Sequence, residues 1–217
     1  MSLESPAKRK YELRKRAEQM GETRLRITEA AIELHGAVGP SRTTLSAVAE
    51  RAGVERRTLY RHFSNEADLF AACSAHYFTA NPWPDLDEWR AIRDPRQRLE
   101  LALDELYAYY ERTEPMYSNV LRDAELVDSA RDAVAPLDAY LDEAAEVLAV
   151  GRPVRGRRRR LLVGALRHAL TFSTWRSLTA SGIGRADAAA LVTALVDAAA
   201  TSGRPLRAPR TPSAGDP

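Results

Sequence analysis

Residues 42–63 read Arg-Thr-Thr-Leu-Ser-Ala-Val-Ala-Glu-Arg-Ala-Gly-Val-Glu-Arg-Arg-Thr-Leu-Tyr-Arg-His-Phe, two short helices joined at a glycine. Thr44 is placed to cap the first, whose inward face is Leu45, Val48 and Ala49. Gly53 supplies a left-handed backbone turn at little steric cost, and Val54 closes over the corner. The second helix runs to about His62, with Leu59 and Phe63 as apolar anchors. Around them stand Arg56, Arg57, Thr58, Tyr60, Arg61 and His62. A short helix with that polar face suits the major groove of DNA.

Outward from this corner the pattern stays helical. Ile27, Ala30, Ala31 and Leu34 share one face of a helix over about 22–37, ended by Gly36, Gly39 and Pro40. Asn65 can cap a fourth helix, with Glu66 and Asp68 at its positive end and Leu69, Phe70, Cys73 and Tyr77 on its buried side. Asn81-Pro82-Trp83-Pro84 breaks the chain and reads as a seam. Beyond it, Pro95 suits the first turn of a helix to about Glu111, and another starts near Glu114-Pro115, bends near Pro136 and reaches Val150. A loop over 151–156 and helices over about 157–180 and 185–201 complete the pattern. Residues 1–20 are expected to form a flexible basic arm, 21–80 one domain, 81–202 a second helical domain, and 203–217, with Pro205, Pro209, Pro212 and Pro217, a disordered tail.

Composition bounds the function. Of 217 residues, 45% are hydrophobic and β-branched runs are scarce, which favours an all-α globular chain. The net charge of +2 conceals segregation, with cations crowding residues 8–26 and carboxylates concentrated over 123–146. A basic front is the part expected to meet a polyanion. Cys73 is the only cysteine, so no intrachain disulfide can form. No apolar run approaches the roughly 18 residues of a membrane span, and a cytoplasmic location is expected. There is no Cys/His metal spacing, no phosphate-cradling glycine loop and no nucleophile elbow. Neither a cofactor, a metal nor an enzymatic activity is therefore expected.

Residues 23–72 resemble the N-terminal domain of the TetR (tetracycline-repressor-like) family of transcriptional regulators. The likeness rests on the order and spacing of Ile27, Ala30-Ala31, Gly39, Thr43-Thr44-Leu45, Val48-Ala49, Ala52-Gly53-Val54, Thr58-Leu59-Tyr60, His62-Phe63 and Leu69-Phe70. It implies a three-helix helix-turn-helix domain joined to a helical ligand-binding and dimerising domain. It also implies a homodimer on palindromic double-stranded DNA, as a repressor released by a small hydrophobic or aromatic effector. An activator, or a helical interaction protein without an effector, is the alternative. The chain departs from the family pattern at Glu55, where serine is frequent and a carboxylate can still cap, at Arg57, where a small residue is common, and at Glu66, where lysine is frequent. Glu66 replaces a phosphate-seeking cation with a repulsive charge and is left out of the expected contacts.

On that basis Thr43, Thr44, Tyr60 and His62 are expected to meet phosphates, Arg56 and Arg57 to read bases, Thr58 to meet a thymine methyl, and Arg61 to serve either. The Lys8–Arg16 cluster suits a minor-groove arm or a solvated tail. The Arg155, Arg157, Arg158, Arg159 and Arg160 run opens a helix, where the carboxylates of the preceding helix can neutralise it. Candidate effector contacts are Trp89, Tyr107, Tyr110, Met116, Tyr117, Leu121, Phe172 and Trp175, each of which reads equally well as ordinary core. Ala188, Leu191, Val192, Leu195, Val196 and Ala199 form an apolar stripe suited to a four-helix dimer interface, or to packing within the chain.

Overall fold

The structure, a computed structural model, describes residues 6–201, with side chains described over 10–199. The chain is all-α. Its helices are α1 (Pro6–Ala37), α2 (Leu45–Arg51), α3 (Arg56–His62), α4 (Glu66–Ala80), α5 (Leu86–Ala91), α6 (Pro95–Asp123), α7 (Asp128–Ala149), α8 (Gly156–Ala169), α9 (Phe172–Ala180) and α10 (Arg185–Thr201). A single 3-10 turn, Pro40–Arg42, links α1 to α2. Among the described residues no helix is long and apolar enough to cross a membrane.

Two compact units divide the chain. One is the described part of Met1–Asp85 with Glu105–Glu143, and the other is Leu86–Asp104 with the described part of Ala144–Pro217. In the first, α1 packs on α4, α2 and α3, and Ile27, Ala31, Val48, Leu59, Phe63, Leu69 and Cys73 form its core. Full burial of Leu59 and Phe63 contributes about 1.5–3 kcal/mol each. In the second, α10 packs on α8 and α9. Its Arg98 is buried without a carboxylate and donates instead to the carbonyls of Ile92 (2.9 Å), Val147 (3.1 Å) and Val150 (2.9 Å), tying the residue after α5 to the C-terminal end of α7.

Several boundaries differ from the sequence reading. α1 is helical from Pro6, so the expected flexible arm over 1–20 is, over its described part, a continuation of α1. α6 runs through Pro115 to Asp123, and the break falls at 124–127. Buried Thr113 and Tyr117 on either side hold the helix together there, against the missing backbone hydrogen bond that an interior proline costs. The single helix expected over 157–180 is two, because the Thr171 hydroxyl accepts the Thr174 N–H and starts α9 afresh. The Asn81–Pro84 turn is not a bare linker but lies inside the first unit. The Trp83 indole N–H donates to the Tyr117 hydroxyl (2.8 Å), Trp83 stacks on Tyr140 (5.0 Å), and the Tyr140 hydroxyl donates to the Pro84 carbonyl (3.0 Å). The proposed tail over 203–217 lies outside the described residues.

Candidate nucleic-acid interface

The α2–α3 corner forms as its residues require. Thr44 caps α2, its hydroxyl oxygen accepting the Ala47 N–H at 3.1 Å. Gly53 adopts φ +63, the left-handed conformation the turn needs. Leu59 and Phe63 are fully buried, which fixes the rotation of α3 and turns its remaining positions outward. Glu55 stands at the cap position of α3 but makes no side-chain cap bond, so that helix starts without the carboxylate cap the sequence allowed. Asn65 does cap α4, accepting the Asp68 N–H at 2.8 Å, while Asp68 accepts the Ser64 N–H at 3.1 Å.

The eight proposed DNA-contacting residues fall into unequal groups. Arg56, Arg57, Tyr60 and Arg61 are exposed on α3. Arg56 lies over the Tyr60 ring (5.5 Å to its centroid) and donates to its hydroxyl at 3.1 Å, so the two side chains present a joint, pre-ordered head. Thr58 is half-buried. Thr43 and Thr44 stand together at the start of α2, but Thr43 commits its hydroxyl proton to the Gly39 carbonyl at 2.8 Å. His62 is turned partly inward. Its Nε2 is shielded from solvent, and burial, then neighbouring Arg61 and Arg24, lower its pKa.

Arg24 is a residue that sequence reasoning missed. From α1 it donates to the His62 carbonyl, lies over the Phe63 ring at 4.0 Å and approaches Asp68 at 3.9 Å. One guanidinium thereby ties α1 to the C-terminal end of α3 and the start of α4. The only signal was its place one turn ahead of Ile27 and Thr28, on the edge of the buried stripe.

Also within the first unit is a cavity of about 50 Å³ lined by α1, α4, α6 and α7, including His35, Phe70, Tyr77, Met116, Tyr117, Leu121 and Leu137. It gathers Met116, Tyr117 and Leu121 of the eight candidate effector residues. Tyr107 and Tyr110 are buried in the first unit without lining it, and Trp89, Phe172 and Trp175 belong to the second unit. Its α1 and α4 wall was missed because those side chains read as core of the N-terminal domain. Cys73, also in that wall, has its thiol pKa pushed up to about 12 by burial, and its thiol faces the Thr28 carbonyl at 3.6 Å. That makes it a poor nucleophile and an inert packing group.

His35 stacks on Phe70 (4.8 Å), and burial lowers its pKa to about 4 against the opposing pull of Asp123. Asp123, hydrogen-bonded by Arg122 and the Ser41 N–H, has its pKa lowered to about 2. A base with a depressed folded pKa lends stability above its unfolded pKa and loses it as pH falls through the folded value. Stability should therefore drop by up to about 3 kcal/mol between pH 6.5 and 4 as His35 charges. A further loss of about 2 kcal/mol should follow from pH 3.8 to 2 as Asp123 is neutralised. Thermal melts at fixed ionic strength should show both steps, and His35→Phe should flatten only the upper one.

Residues 27–73 match the family described as bacterial regulatory proteins, tetR family. The HTH-type transcriptional regulator SrpR of Pseudomonas putida is 38% identical over 85 residues, covering 36% of this chain and 40% of that protein. The HTH-type transcriptional regulator TtgR, also of Pseudomonas putida, is 45% identical over 60 residues, 28% of this chain and 29% of that protein. The chain thus matches less than half the length of these curated relatives. Over the whole fold, a TetR-like regulator from Rhodococcus sp. RHA1 superposes with TM-score 0.61 at 19% identity, covering 81% of this chain and 94% of that one. NalD of Pseudomonas aeruginosa, described as the secondary repressor of the MexAB-OprM multidrug efflux pump, gives 0.59 at 21%, covering 84% and 97%. The helix-turn-helix is the part matched by sequence, and the all-helical remainder is matched by fold. Residues 27–73 thus carry the tetR-family N-terminal match, and the chain as a whole shares the fold of TetR-like regulators.

Proposed function

We propose that this chain is a cytoplasmic, homodimeric repressor that reads a palindromic operator through α3 and is released by a small hydrophobic or aromatic effector. The observation that carries the DNA reading is the outward face of α3, where Arg56 and Tyr60 are pre-ordered as a pair over the buried Leu59 and Phe63. An arginine bidentate to guanine contributes about 1–3 kcal/mol of discrimination.

Dimerisation is supported by what α8 and α10 leave uncovered. Of the six stripe residues, Ala188, Val192 and Val196 are already buried within the second unit. The face that remains is Leu191 and Leu195 with Ala199, and Leu161 on α8 is exposed as well. Leucines left 42–60% exposed on adjacent helices are an apolar surface suited to the same surface of a second copy.

Effector control is supported by the walls of the cavity. They belong to α1 and α4, which hold the helix-turn-helix, and to α6 and α7. At about 50 Å³ the space is smaller than the roughly 150 Å³ apolar cavity that suffices to bind benzene, so a ligand must part these helices to enter. A ligand that binds the parted state better shifts the population away from the operator-binding one.

Selection of bound duplexes from a random pool tests the whole reading. The expected result is an inverted repeat with half-site centres about one DNA turn apart, roughly 34–36 Å, or somewhat more. Arg56→Ala should weaken binding to the selected site by roughly 5- to 150-fold without changing the dimer's sedimentation. Full affinity in that variant would remove α3's assigned face.

A further inference from the structure

Among the described side chains of α1 the first buried one is Ile27, and from Pro6 to Arg26 about 30 Å of helix precedes it. The inward stripe continues backward through Thr23, Met20 and Arg16, at steps of three and four residues from Ile27. These side chains do not face open solvent alone. With Arg26 and with Arg61 and His62 at the end of α3, they line an open groove of about 610 Å³. Among the described residues, Arg16, Arg26 and Arg61 hold no carboxylate partner. Glu22 is the one acid on the groove's wall. Over residues 10–26 six cations stand against three carboxylates.

We propose that this groove takes the phosphodiester backbone of duplex DNA flanking the tract that α3 reads, which makes the front of α1 a rigid second DNA contact. The proposal rests on the DNA-binding reading of α3. Charge complementarity identifies the occupant: three uncompensated guanidinium groups face one channel, and one of them, Arg61, extends the recognition helix itself. A polyanion lying against α3 runs on into the groove without changing chemistry, whereas an apolar peptide would meet three cations, Arg16 and Arg26 from α1 and Arg61 from α3. Helical structure over this stretch also lowers the ordering cost that a flexible arm would meet on binding.

The test uses the full-length chain and the duplex recovered by random selection. One form is trimmed to the selected sequence and the other carries about ten extra base pairs of arbitrary sequence on each side, a length chosen to exceed the reach of a ~30 Å helix. The variant is Arg16→Gln with Arg26→Gln, both at exposed positions. On the long duplex it should bind roughly tenfold more weakly, and its log–log salt slope should fall by about 0.9 for each phosphate that is no longer neutralised. On the trimmed duplex it should match the wild type. Unchanged affinity and slope on the long duplex, with Arg56→Ala still impaired, would overturn the flanking contact and leave the function of α3 standing. Equal losses on both duplexes would place these arginines inside the half-site and overturn it as well. A wild-type chain that binds neither duplex would remove both readings.

Discussion

Phe63→Ala is expected to lower the unfolding free energy of the first unit by about 3–5 kcal/mol, the usual cost of emptying a buried phenyl site. Phe63 is wholly buried among Ile27, Ala31, Val48, Leu59 and Leu69, contributed by α1, α2, α3 and α4. The cavity would therefore open where four elements meet and none can collapse into it alone. A second loss follows from Arg24, whose guanidinium lies 4.0 Å over the ring while donating to the His62 carbonyl. Without the ring that cation loses its platform, and the C-terminal end of α3 loses its tie to α1. Tyr60→Ala, three residues earlier and 44% exposed, should cost well under about 1 kcal/mol when both variants are unfolded in urea. Equal effects for the two variants would mean that the outward and inward faces of α3 have been exchanged. Operator binding separates them the other way, because Tyr60→Ala should weaken it at temperatures where the protein stays folded.

This contrast also shows where sequence reasoning succeeds. The α2–α3 corner was legible because its determinants are local: a capping threonine, a glycine at φ +63 and two anchors four residues apart. The front of α1 was not, because residues 10–26 bury no side chain and so leave no apolar period to read. Pro115 misled for the opposite reason, since a strong local breaker is overruled by packing at Thr113 and Tyr117. The cavity was half-read: Met116, Tyr117 and Leu121 lie on one helix at helical spacing, whereas His35, Phe70, Tyr77 and Leu137 come together only through the tertiary fold. Arg24 illustrates the same limit, because a cation one turn ahead of a buried stripe is ordinarily solvated.

Gly39→Ala is expected to lower the melting temperature by roughly 6–12 °C, corresponding to about 3 kcal/mol in a chain of this size. Gly39 holds φ +96 and ψ 158, a backbone region that side chains rarely tolerate. A Cβ there would also run into the side chains of Arg122 and Asp123. That pair cannot easily yield. Asp123 is 1% exposed and accepts from Arg122 (2.7 Å) and from the Ser41 N–H (2.9 Å), while Arg122 donates to the Val38 carbonyl (3.1 Å) and Asn119 to the Gly36 carbonyl (2.7 Å). Pushing the carboxylate off these donors leaves a buried charge short of partners, which is costly. The consequence reaches past stability, because the C-terminal half of α6 has two duties. Met116, Tyr117, Val120 and Leu121 wall the cavity, while Asn119, Arg122 and Asp123 grip the connection from α1 to α2. Releasing that grip should weaken operator binding although no residue of α3 is altered, and Asp123→Asn should reproduce the effect in part. A Gly39→Ala chain that melts within about 2 °C of the wild type, a shift worth less than about 1 kcal/mol, would show that the turn tolerates a side chain.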